Sequence, residues 1–183
     1  METTLRVIAK ELNQLAVLWG VGGSVLLHQY GLVETPGDID LFVDLTEVNR
    51  IEQVLSCLGE KQVSPPHARY LTTCFREYVI GGVDVDVMAE FAIRHESGVY
   101  RFVFDKQSLV ESRIVQGETI PFTSLEDWYV LYRLLPNGLE KATRIETYFH
   151  RHGIKQPTLL HRALMGCLPD KIKQDVQRLL QIK

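Results

Sequence analysis

Trp19-Gly20-Val21-Gly22-Gly23-Ser24 and Gly37-Asp38-Ile39-Asp40-Leu41-Phe42-Val43-Asp44 are the two stretches of sequence that decide the fold. The first is a short apolar run that ends in glycines and a serine, and a helical pattern follows it. The second is an apolar run that carries aspartates at alternate positions. Glycines and a serine at a strand-to-helix junction suit an anion, whereas paired carboxylates suit a divalent cation. Together the two stretches indicate chemistry on a nucleoside triphosphate.

Gly22, Gly23 and Ser24 are the candidate phosphate-binding residues. A helix N-terminus presents unpaired N–H groups, and glycines let a phosphate approach the backbone closely. The serine hydroxyl adds a further donor. The alternative is a tight strand-to-helix turn with an ordinary serine cap, because short glycine motifs are common.

Asp38 and Asp40 are the first candidate metal ligands. Side chains at alternate positions of a strand point to the same face, so both carboxylates project together. Neighbouring carboxylates raise each other's pKa unless a cation lies between them. A solvated polar face on an edge strand is the alternative, because it gives the same alternation.

The run Val83-Asp84-Val85-Asp86-Val87 repeats this pattern further along the chain. Any half-buried strand shows such alternation, so the pattern alone decides nothing. If one of these aspartates lies beside Asp38 and Asp40, three carboxylates can hold two metal ions, the arrangement used in phosphoryl transfer. Glu90 is a lesser candidate on the same run.

Composition limits the class of protein. The 183 residues predict one domain, or one domain with a small helical appendage, and hydrophobic residues make up 45% of them. The net charge of −3 predicts no extended nucleic-acid surface and no anionic-membrane surface. Three cysteines in no metal-ligand spacing favour a reduced compartment. We recognise no signal peptide and no membrane-spanning run, so we expect a cytoplasmic setting.

The order of predicted elements is mixed α and β as far as residue 122 and helical afterwards. Before a predicted break at Ser64-Pro65-Pro66, the first part is predicted to contain a helix around Leu5–Leu15, a strand over Val17–Val21, a helix capped by Ser24, a strand over Ile39–Val43, and a helix capped by Thr46 and ended by Gly59. After the break we predict β-rich runs over Tyr70–Ile80 and Val83–Met88 joined by a Gly81-Gly82 hairpin, and strands around Val99–Phe104 and Arg113–Phe122. The second part is predicted to contain helices over Leu125–Leu135 and Glu140–His152 and two shorter ones opened by Pro157 and Pro169. We therefore divide the chain into a core, residues 1–122, and a helical segment, residues 123–183.

Other polar and aromatic residues have ordinary structural explanations. Arg69 and Arg76 lie near the expected site and are candidates for phosphate contact, although arginines on strands usually face solvent. His28 and His67 are interpreted as a helix-face and a loop histidine. Trp128, Tyr129 and Tyr132 recur at helical spacing and are interpreted as core residues.

These motifs together resemble the nucleotidyltransferase superfamily of DNA polymerase β, including its small bacterial members and the antibiotic nucleotidyltransferases. Gly22-Gly23-Ser24 resembles the family's motif at a helix start, Asp38-Ile39-Asp40 its Asp-x-Asp strand, and Asp86 in Val85-Asp86-Val87-Met88 its third carboxylate. Asp84 is the other possibility for that third position. The resemblance implies an α+β fold with a mixed, mostly antiparallel sheet flanked by helices, followed by a C-terminal helical segment.

The resemblance also implies a reaction. Asp38, Asp40 and Asp86 would bind Mg²⁺, two ions in the family pattern, and Gly22, Gly23 and Ser24 would hold a nucleoside triphosphate such as ATP. A nucleoside monophosphate would pass to an acceptor hydroxyl with release of pyrophosphate, and Asp86 would help to deprotonate that hydroxyl. The expected partners are the nucleotide, a small-molecule acceptor such as an antibiotic or a protein side chain, and a possible second copy of the chain.

The chain departs from the family at the helices after the catalytic strands. Many relatives carry a Lys-Asp pair there, where this chain has Leu139-Glu140-Lys141-Ala142-Thr143-Arg144. Lys141 is a candidate for nucleotide contact. The departure leaves open an alternative, a non-catalytic binding module such as an antitoxin-like partner protein.

Overall fold

The structure is a computed structural model and describes residues 1–63 and 70–182. The predicted break at Ser64-Pro65-Pro66 and the residues His67 and Arg69 lie outside that range. No helix of the described residues is both long enough and apolar enough to cross a membrane.

The described part of the chain forms a sheet with helices around it. The helices are α1 (Glu2–Leu15), α2 (Gly23–Gln29), α3 (Val48–Leu58), α4 (Leu125–Leu134), α5 (Leu139–His152), α6 (Pro157–Leu164) and α7 (Asp170–Leu179). The strands are β1 (Trp19–Val21), β2 (Ile39–Val43), β3 (Glu60–Lys61), β4 (Cys74–Ile80), β5 (Val83–Ala89), β6 (Ala92–His95), β7 (Gly98–Arg101), β8 (Leu109–Val115) and β9 (Glu118–Thr123). Short 3₁₀ turns at Leu45–Glu47 and Lys106–Ser108 complete the described elements.

Seven of the strands described form one sheet in the order β3-β4-β5-β2-β1-β9-β8. The pairs β3/β4, β4/β5, β2/β1 and β9/β8 are antiparallel, whereas β5/β2 and β1/β9 are parallel. The predicted α+β fold with a mostly antiparallel sheet is therefore confirmed. Strands β6 and β7 form a separate hairpin that the sequence patterns did not predict as a pair.

The central strands lie close to their predicted positions. Strand β2 covers the predicted residues, and Gly81-Gly82 forms the tight turn between β4 and β5. The strand predicted to begin at Tyr70 begins at Cys74. Tyr70 instead forms an isolated antiparallel bridge with Ile93 of β6. Arg113–Phe122 is divided by a turn at Gln116-Gly117 into β8 and β9.

Two predicted helix caps are wrong, and one is confirmed. Helix α2 begins at Gly23 rather than after Ser24, so Ser24 is not its cap. Asp44 rather than Thr46 accepts the capping hydrogen bond ahead of α3, from the Thr46 backbone N–H at 2.8 Å. Ser124 caps α4 as predicted, since its Oγ accepts from the Asp127 backbone N–H at 2.9 Å.

One hydrophobic cluster joins the sheet to the C-terminal helices. Phe42 of β2 has its ring centroid 5.6 Å from that of Trp128 on α4, and Ile145, Phe149 and Val176 of the later helices are in the same cluster. Glu126, which is buried, accepts hydrogen bonds from the backbone N–H groups that precede α6. The division at residue 122 into two parts stays a prediction.

Candidate active site

Three carboxylates meet at the centre of the sheet, where β2 and β5 run side by side. The parallel register places Asp40 of β2 directly opposite Asp86 of β5. Asp38 lies just before β2, and one carboxylate oxygen from each of the three residues lies within 4.8 Å of the others. All three side chains are half-buried, whereas Asp84 is exposed and does not belong to this group. We call Asp38, Asp40 and Asp86 the acidic group.

The turn between β1 and α2 lies directly against Asp40. Gly23 has a φ of +56°, a left-handed conformation that glycine adopts easily. A Cβ added at Gly23 would lie 1.6 Å from Oδ2 of Asp40, so a side chain there would displace the carboxylate. The Gly22 backbone N–H donates to the Asp40 carbonyl oxygen at 2.9 Å. Both glycines therefore fix the position of β2 relative to the turn.

Ser24 orients Asp38. Its Oγ donates to Oδ1 of Asp38 at 2.9 Å and accepts from the Gly37 backbone N–H at 3.1 Å. Ser24 is 4% exposed, so these partners satisfy a buried hydroxyl. The sequence patterns assigned this hydroxyl to phosphate or to a helix cap, and the geometry gives it a further role in holding a carboxylate.

Helix α4 holds the turn from the other side. A Cβ at Gly22 would lie 2.2 Å from Nε1 of Trp128, so the indole packs directly on the glycine backbone. The indole N–H donates to Oγ1 of Thr123 at 2.9 Å, and that hydroxyl donates to the Val21 carbonyl oxygen at 3.0 Å. Trp128 is therefore a core residue, as predicted, and it also supports the candidate phosphate turn.

Burial and mutual repulsion perturb the acidic group. Burial first, and then the charges of Asp38 and Asp86, hold the pKa of Asp40 well above its ordinary value. Burial, followed by the charges of Asp38, Glu77 and Asp84, raises the pKa of Asp86 to about 7. Close carboxylates of this kind are relieved by a cation between them. Hard carboxylate oxygens are also the ligands that Mg²⁺ prefers, so the donor set fits a divalent cation.

Lys141 and Tyr132 bring the C-terminal helices to the acidic group. The Lys141 ammonium opposes the upward shift in the pKa of Asp40, and its Nζ lies 5.1 Å from the centroid of the Tyr132 ring. Burial, followed by the charges of Asp40 and Asp38, raises the pKa of the Tyr132 hydroxyl. Tyr132 is buried, as predicted, but it is also a neighbour of the candidate site.

Glu77 is a neighbour of the site that the sequence reasoning missed. It lies on β4 opposite Asp86 in the antiparallel register. Counting outward from the Gly81-Gly82 turn would have found it, because a two-residue hairpin fixes which residues face each other. The described residues thus place carboxylates on three adjacent strands, in the order Asp40, Asp86, Glu77.

Other candidates lie away from the acidic group. Arg76 alternates with Glu77 and therefore lies on the other face of β4, where its Nε is 3.7 Å from Oε2 of Glu52 on α3, so the structure does not bring this candidate to the acidic group. Glu90 is exposed and accepts from Oγ1 of Thr73 at 2.6 Å. His28 is exposed on α2, and its Nδ1 lies 3.0 Å from the Val33 carbonyl oxygen, as expected for a helix-face histidine.

The chain shares its fold with known nucleotidyltransferase structures. One is TM1012 from Thermotoga maritima, described as a putative nucleotidyltransferase, with 29% identity and a TM-score of 0.59 over 82% of this chain and 92% of that one. The resemblance to the nucleotidyltransferase superfamily that the motifs carried is therefore confirmed. No protein-family model matches the chain, and no curated protein matches it.

Antibiotic-modifying enzymes are among the structures that share the fold. ANT(2")-Ia, solved in complex with adenylyl-2"-tobramycin, has 13% identity and a TM-score of 0.58, with 97% of each chain covered. The lincosamide antibiotic adenylyltransferase LnuA, solved with lincomycin bound, has 15% identity and a TM-score of 0.52 over 80% of this chain and 97% of that one. At these identities the likeness concerns the fold.

Proposed function

We propose that this protein is a divalent-metal-dependent nucleotidyltransferase. It would transfer a nucleoside monophosphate from a nucleoside triphosphate to an acceptor hydroxyl and release pyrophosphate. The observation that carries this proposal is the acidic group, three carboxylates with oxygens within 4.8 Å of one another, beside the Gly22–Ser24 turn. The shared nucleotidyltransferase fold supports it.

The acidic group is the proposed metal site. Asp38, Asp40 and Asp86 would hold Mg²⁺, two ions in the pattern of the superfamily. Bound there, the metal would neutralise charge on the triphosphate and stabilise the charge that develops at the reacting phosphorus. The sheet register and the Ser24 hydrogen bond preorganise the three carboxylates, so little reorganisation is needed on binding.

The Gly22–Ser24 turn is the proposed phosphate end of the site. Gly23 brings the backbone against Asp40 without a side chain between them, so the turn lies directly beside a proposed metal ligand. Gly23 and Ser24 would contact the β- and γ-phosphates through backbone N–H groups, and Gly22, whose N–H donates to the Asp40 carbonyl oxygen, would hold the turn in place beside them. Lys141, whose ammonium lies near Asp40, would supply a positive charge on the same side.

Asp86 is the proposed proton acceptor. The acceptor oxygen would form a bond to the α-phosphorus as the bond from that phosphorus to the bridging β-phosphate oxygen breaks. The acceptor's proton would pass to a carboxylate oxygen of Asp86, and pyrophosphate would leave with the bonding electron pair. Positioning and charge stabilisation, rather than covalent catalysis, would supply most of the rate.

Metal and nucleotide binding test the proposal directly. We expect Mn²⁺ titration followed by electron paramagnetic resonance to show nucleotide-dependent binding to the wild type. Asp38→Asn combined with Asp40→Asn should abolish it, whereas Asp84→Asn, a matched change on an exposed carboxylate, should leave it intact. Absence of nucleotide binding in the wild type, or equal binding by the double variant, would overturn the proposal.

The non-catalytic alternative makes a different prediction. An antitoxin-like partner protein would form a stable complex with another protein and would release no pyrophosphate from any triphosphate. Pyrophosphate release by the purified chain with Mg²⁺ and an acceptor would exclude it. The expectations of a cytoplasmic setting and of a homodimer stay predictions.

A further inference from the structure

A groove of about 800 Å³ lies between the β6–β7 hairpin and the ends of three C-terminal helices. We call it the hairpin groove. Its walls include Arg94, Glu96, Leu135, Leu139, Lys171 and Ile172. The hairpin contributes one wall, and the α4–α5 corner and the start of α7 contribute the other.

Helix α4 leads from the phosphate turn to this groove. Trp128 packs on Gly22, just after β1, and Tyr132, one turn later, lies near Asp40 on β2. Leu135, which directly follows α4, and Leu139 both line the groove. They lie within three residues of Tyr132 and Lys141, whose side chains are near Asp40.

The hairpin lies over the same face of the sheet. Phe91, which joins β5 to β6, has its ring centroid 5.9 Å from that of Phe42. Phe42 shares a face of β2 with Asp40, because they are two residues apart. Because the hairpin follows β5 directly in the chain, we place the hairpin groove on the Asp86 side of the acidic group, whereas the Gly22–Ser24 turn follows β1 on the other side of β2.

In-line displacement at phosphorus requires the acceptor and the leaving pyrophosphate to be bound on opposite sides of the acidic group. The attacking oxygen and the leaving pyrophosphate lie on opposite sides of the α-phosphorus. With the phosphates at Gly22–Ser24, the acceptor must approach from the side of Asp86. The hairpin groove is a large concave surface on that side and is formed by both the core and the helical segment.

Charges and apolar groups are separated within the groove. Arg94 and Lys171 are exposed, and neither forms an ion pair or a side-chain hydrogen bond within residues 1–63 and 70–182. Leu139 is 63% exposed, an apolar side chain without cover on the opposite wall. Arg133 also lines the groove, but Asp175 pairs with its guanidinium, and Glu96 is the acid among the lining residues. Two free cations beside exposed apolar surface suit an amphipathic anion.

We propose that the hairpin groove binds the acceptor, and that the acceptor is a hydroxyl compound with an apolar body and a carboxylate or phosphate at its far end. The anionic group contacts Arg94 and Lys171, the apolar body packs on Leu139 and Ile172, and the hydroxyl reaches toward Asp86. This inference rests on the proposed function and assigns the charge class of its second substrate. Acceptors with a cationic far end are disfavoured by the same two side chains.

Three probe compounds of equal chain length test the charge class. They are a medium-chain hydroxyalkanoate, the matching diol and the matching amino alcohol, each added to the full chain with Mg²⁺ and a non-hydrolysable ATP analogue. Binding is followed by amide chemical shifts in nuclear magnetic resonance. We expect the hydroxyalkanoate to bind about tenfold more tightly than the other two and to shift amides at Arg94–Glu96, Leu135–Leu139 and Lys171.

Charge reversal tests the two cations. Arg94→Glu combined with Lys171→Glu should weaken the hydroxyalkanoate about tenfold and make the amino alcohol the preferred probe. The matched control is Lys10→Glu combined with Arg151→Glu, since both residues are exposed and lie outside the groove. The control should bind all three probes like the wild type.

The outcomes separate this inference from the proposed function. Equal binding of the three probes, no detectable binding, shifts outside the groove, or unchanged preference after charge reversal would overturn the acceptor assignment while nucleotide binding remains. Failure of the ATP analogue to bind, measured in the same samples, would overturn the proposed function and with it the acceptor role.

Discussion

The chain carries the Asp-x-Asp pattern on two neighbouring strands, and the structure uses the two copies differently. Asp38 and Asp40 both join the acidic group, whereas of Asp84 and Asp86 only Asp86 does so. The two strands are parallel and in register at Asp40 and Asp86, so alternation alone would present four similar carboxylates. What differs is the surroundings of the first residue of each pair.

Asp38 is held by Ser24, and Asp84 has no corresponding partner in the described part of the chain. The Ser24 hydroxyl donates to Asp38 at 2.9 Å and is itself oriented by the Gly37 N–H. Asp84 is exposed near the hairpin turn. Strand alternation therefore determines which face of the sheet a carboxylate lies on, whereas contacts from outside the strand determine which carboxylates lie close together.

The largest expected difference is between Asp40 and Asp84 in catalysis. Asp40→Asn should lower the rate of pyrophosphate release from ATP at least about a thousandfold, because a metal ligand is lost. Asp84→Asn, the same chemical change, should stay within about twofold of the wild type. A comparable loss in both variants would show that the acidic group extends to Asp84.

Gly23→Ala should disturb the site by moving Asp40. The new Cβ would lie 1.6 Å from Oδ2 of Asp40 at a φ of +56°, so both a clash and backbone strain arise. We expect a loss of unfolding free energy of about 2 kcal/mol or more, together with loss of Mn²⁺ binding. Chemical denaturation and Mn²⁺ titration measure the two effects.

Gly82→Ala is the matched control for that variant. Its φ is +76°, but a Cβ there meets nothing within 4 Å, so strain acts without a clash. We expect a loss of about 1 kcal/mol and normal Mn²⁺ binding. If both variants lost metal binding equally, the close approach of Gly23 to Asp40 would not be the cause.

Asp86 should make the metal-free protein less stable as pH rises. Its pKa is 3.8 in the absence of perturbation and about 7 in the folded chain, so the folded state retains a proton that the unfolded state has already released. The free energy of unfolding is therefore highest below pH 3.8 and falls as the pH rises from 3.8 to about 7. Above the folded pKa, the carboxylate is ionised in both states and the loss of stability caused by burying its charge is complete.

Asp86→Asn removes this penalty. In the presence of a chelator at a pH above the folded pKa, the variant should exceed the wild type by about 2 kcal/mol of unfolding free energy, less than the full shift because the carboxyl is partly exposed. Saturating Mg²⁺ should stabilise the wild type and not the variant. Parallel pH profiles for the two proteins without metal would contradict the assignment.

The smallest effect is expected at Ser24. Ser24→Ala keeps the helix and removes the hydroxyl that orients Asp38, so the affinity for Mn²⁺ should fall about fivefold. Ser24→Thr retains a hydroxyl and should recover part of the affinity if the pocket accepts the added methyl group. An unchanged affinity in the alanine variant would show that Asp38 is positioned without Ser24.

The sequence predicted the part of the site that depends on local pattern. Strand β2, the Gly81-Gly82 turn and the common face of Asp38 and Asp40 follow from alternation and turn chemistry, which act over a few residues. The choice of Asp86 came from the family resemblance, because alternation does not distinguish it from Asp84. Its register with Asp40 depends on long-range pairing.

The parts that the sequence did not predict depend on tertiary contacts. Ser24 has the residue type of a helix cap, yet its hydroxyl donates to Asp38, which is 14 positions further along the chain. The two residues meet only because β2 lies beside the turn. Tyr132 has the spacing of a core residue, and its nearness to Asp40 arises from the path of α4 over the sheet. The β6–β7 hairpin is short, and the residues on either side of it, Phe91 and Phe102, pack on Phe42.

The contact between Trp128 and Gly22 has a spectroscopic consequence. The chain contains two tryptophans, and Trp19 donates its indole N–H to Oδ1 of Asn13, away from the turn. In a Trp19→Phe variant the fluorescence would come from an indole that lies on the phosphate-turn backbone. A triphosphate bound at that turn would change the electric field at the ring. The tryptophan emission of this variant would therefore report nucleotide binding at the turn without an added label.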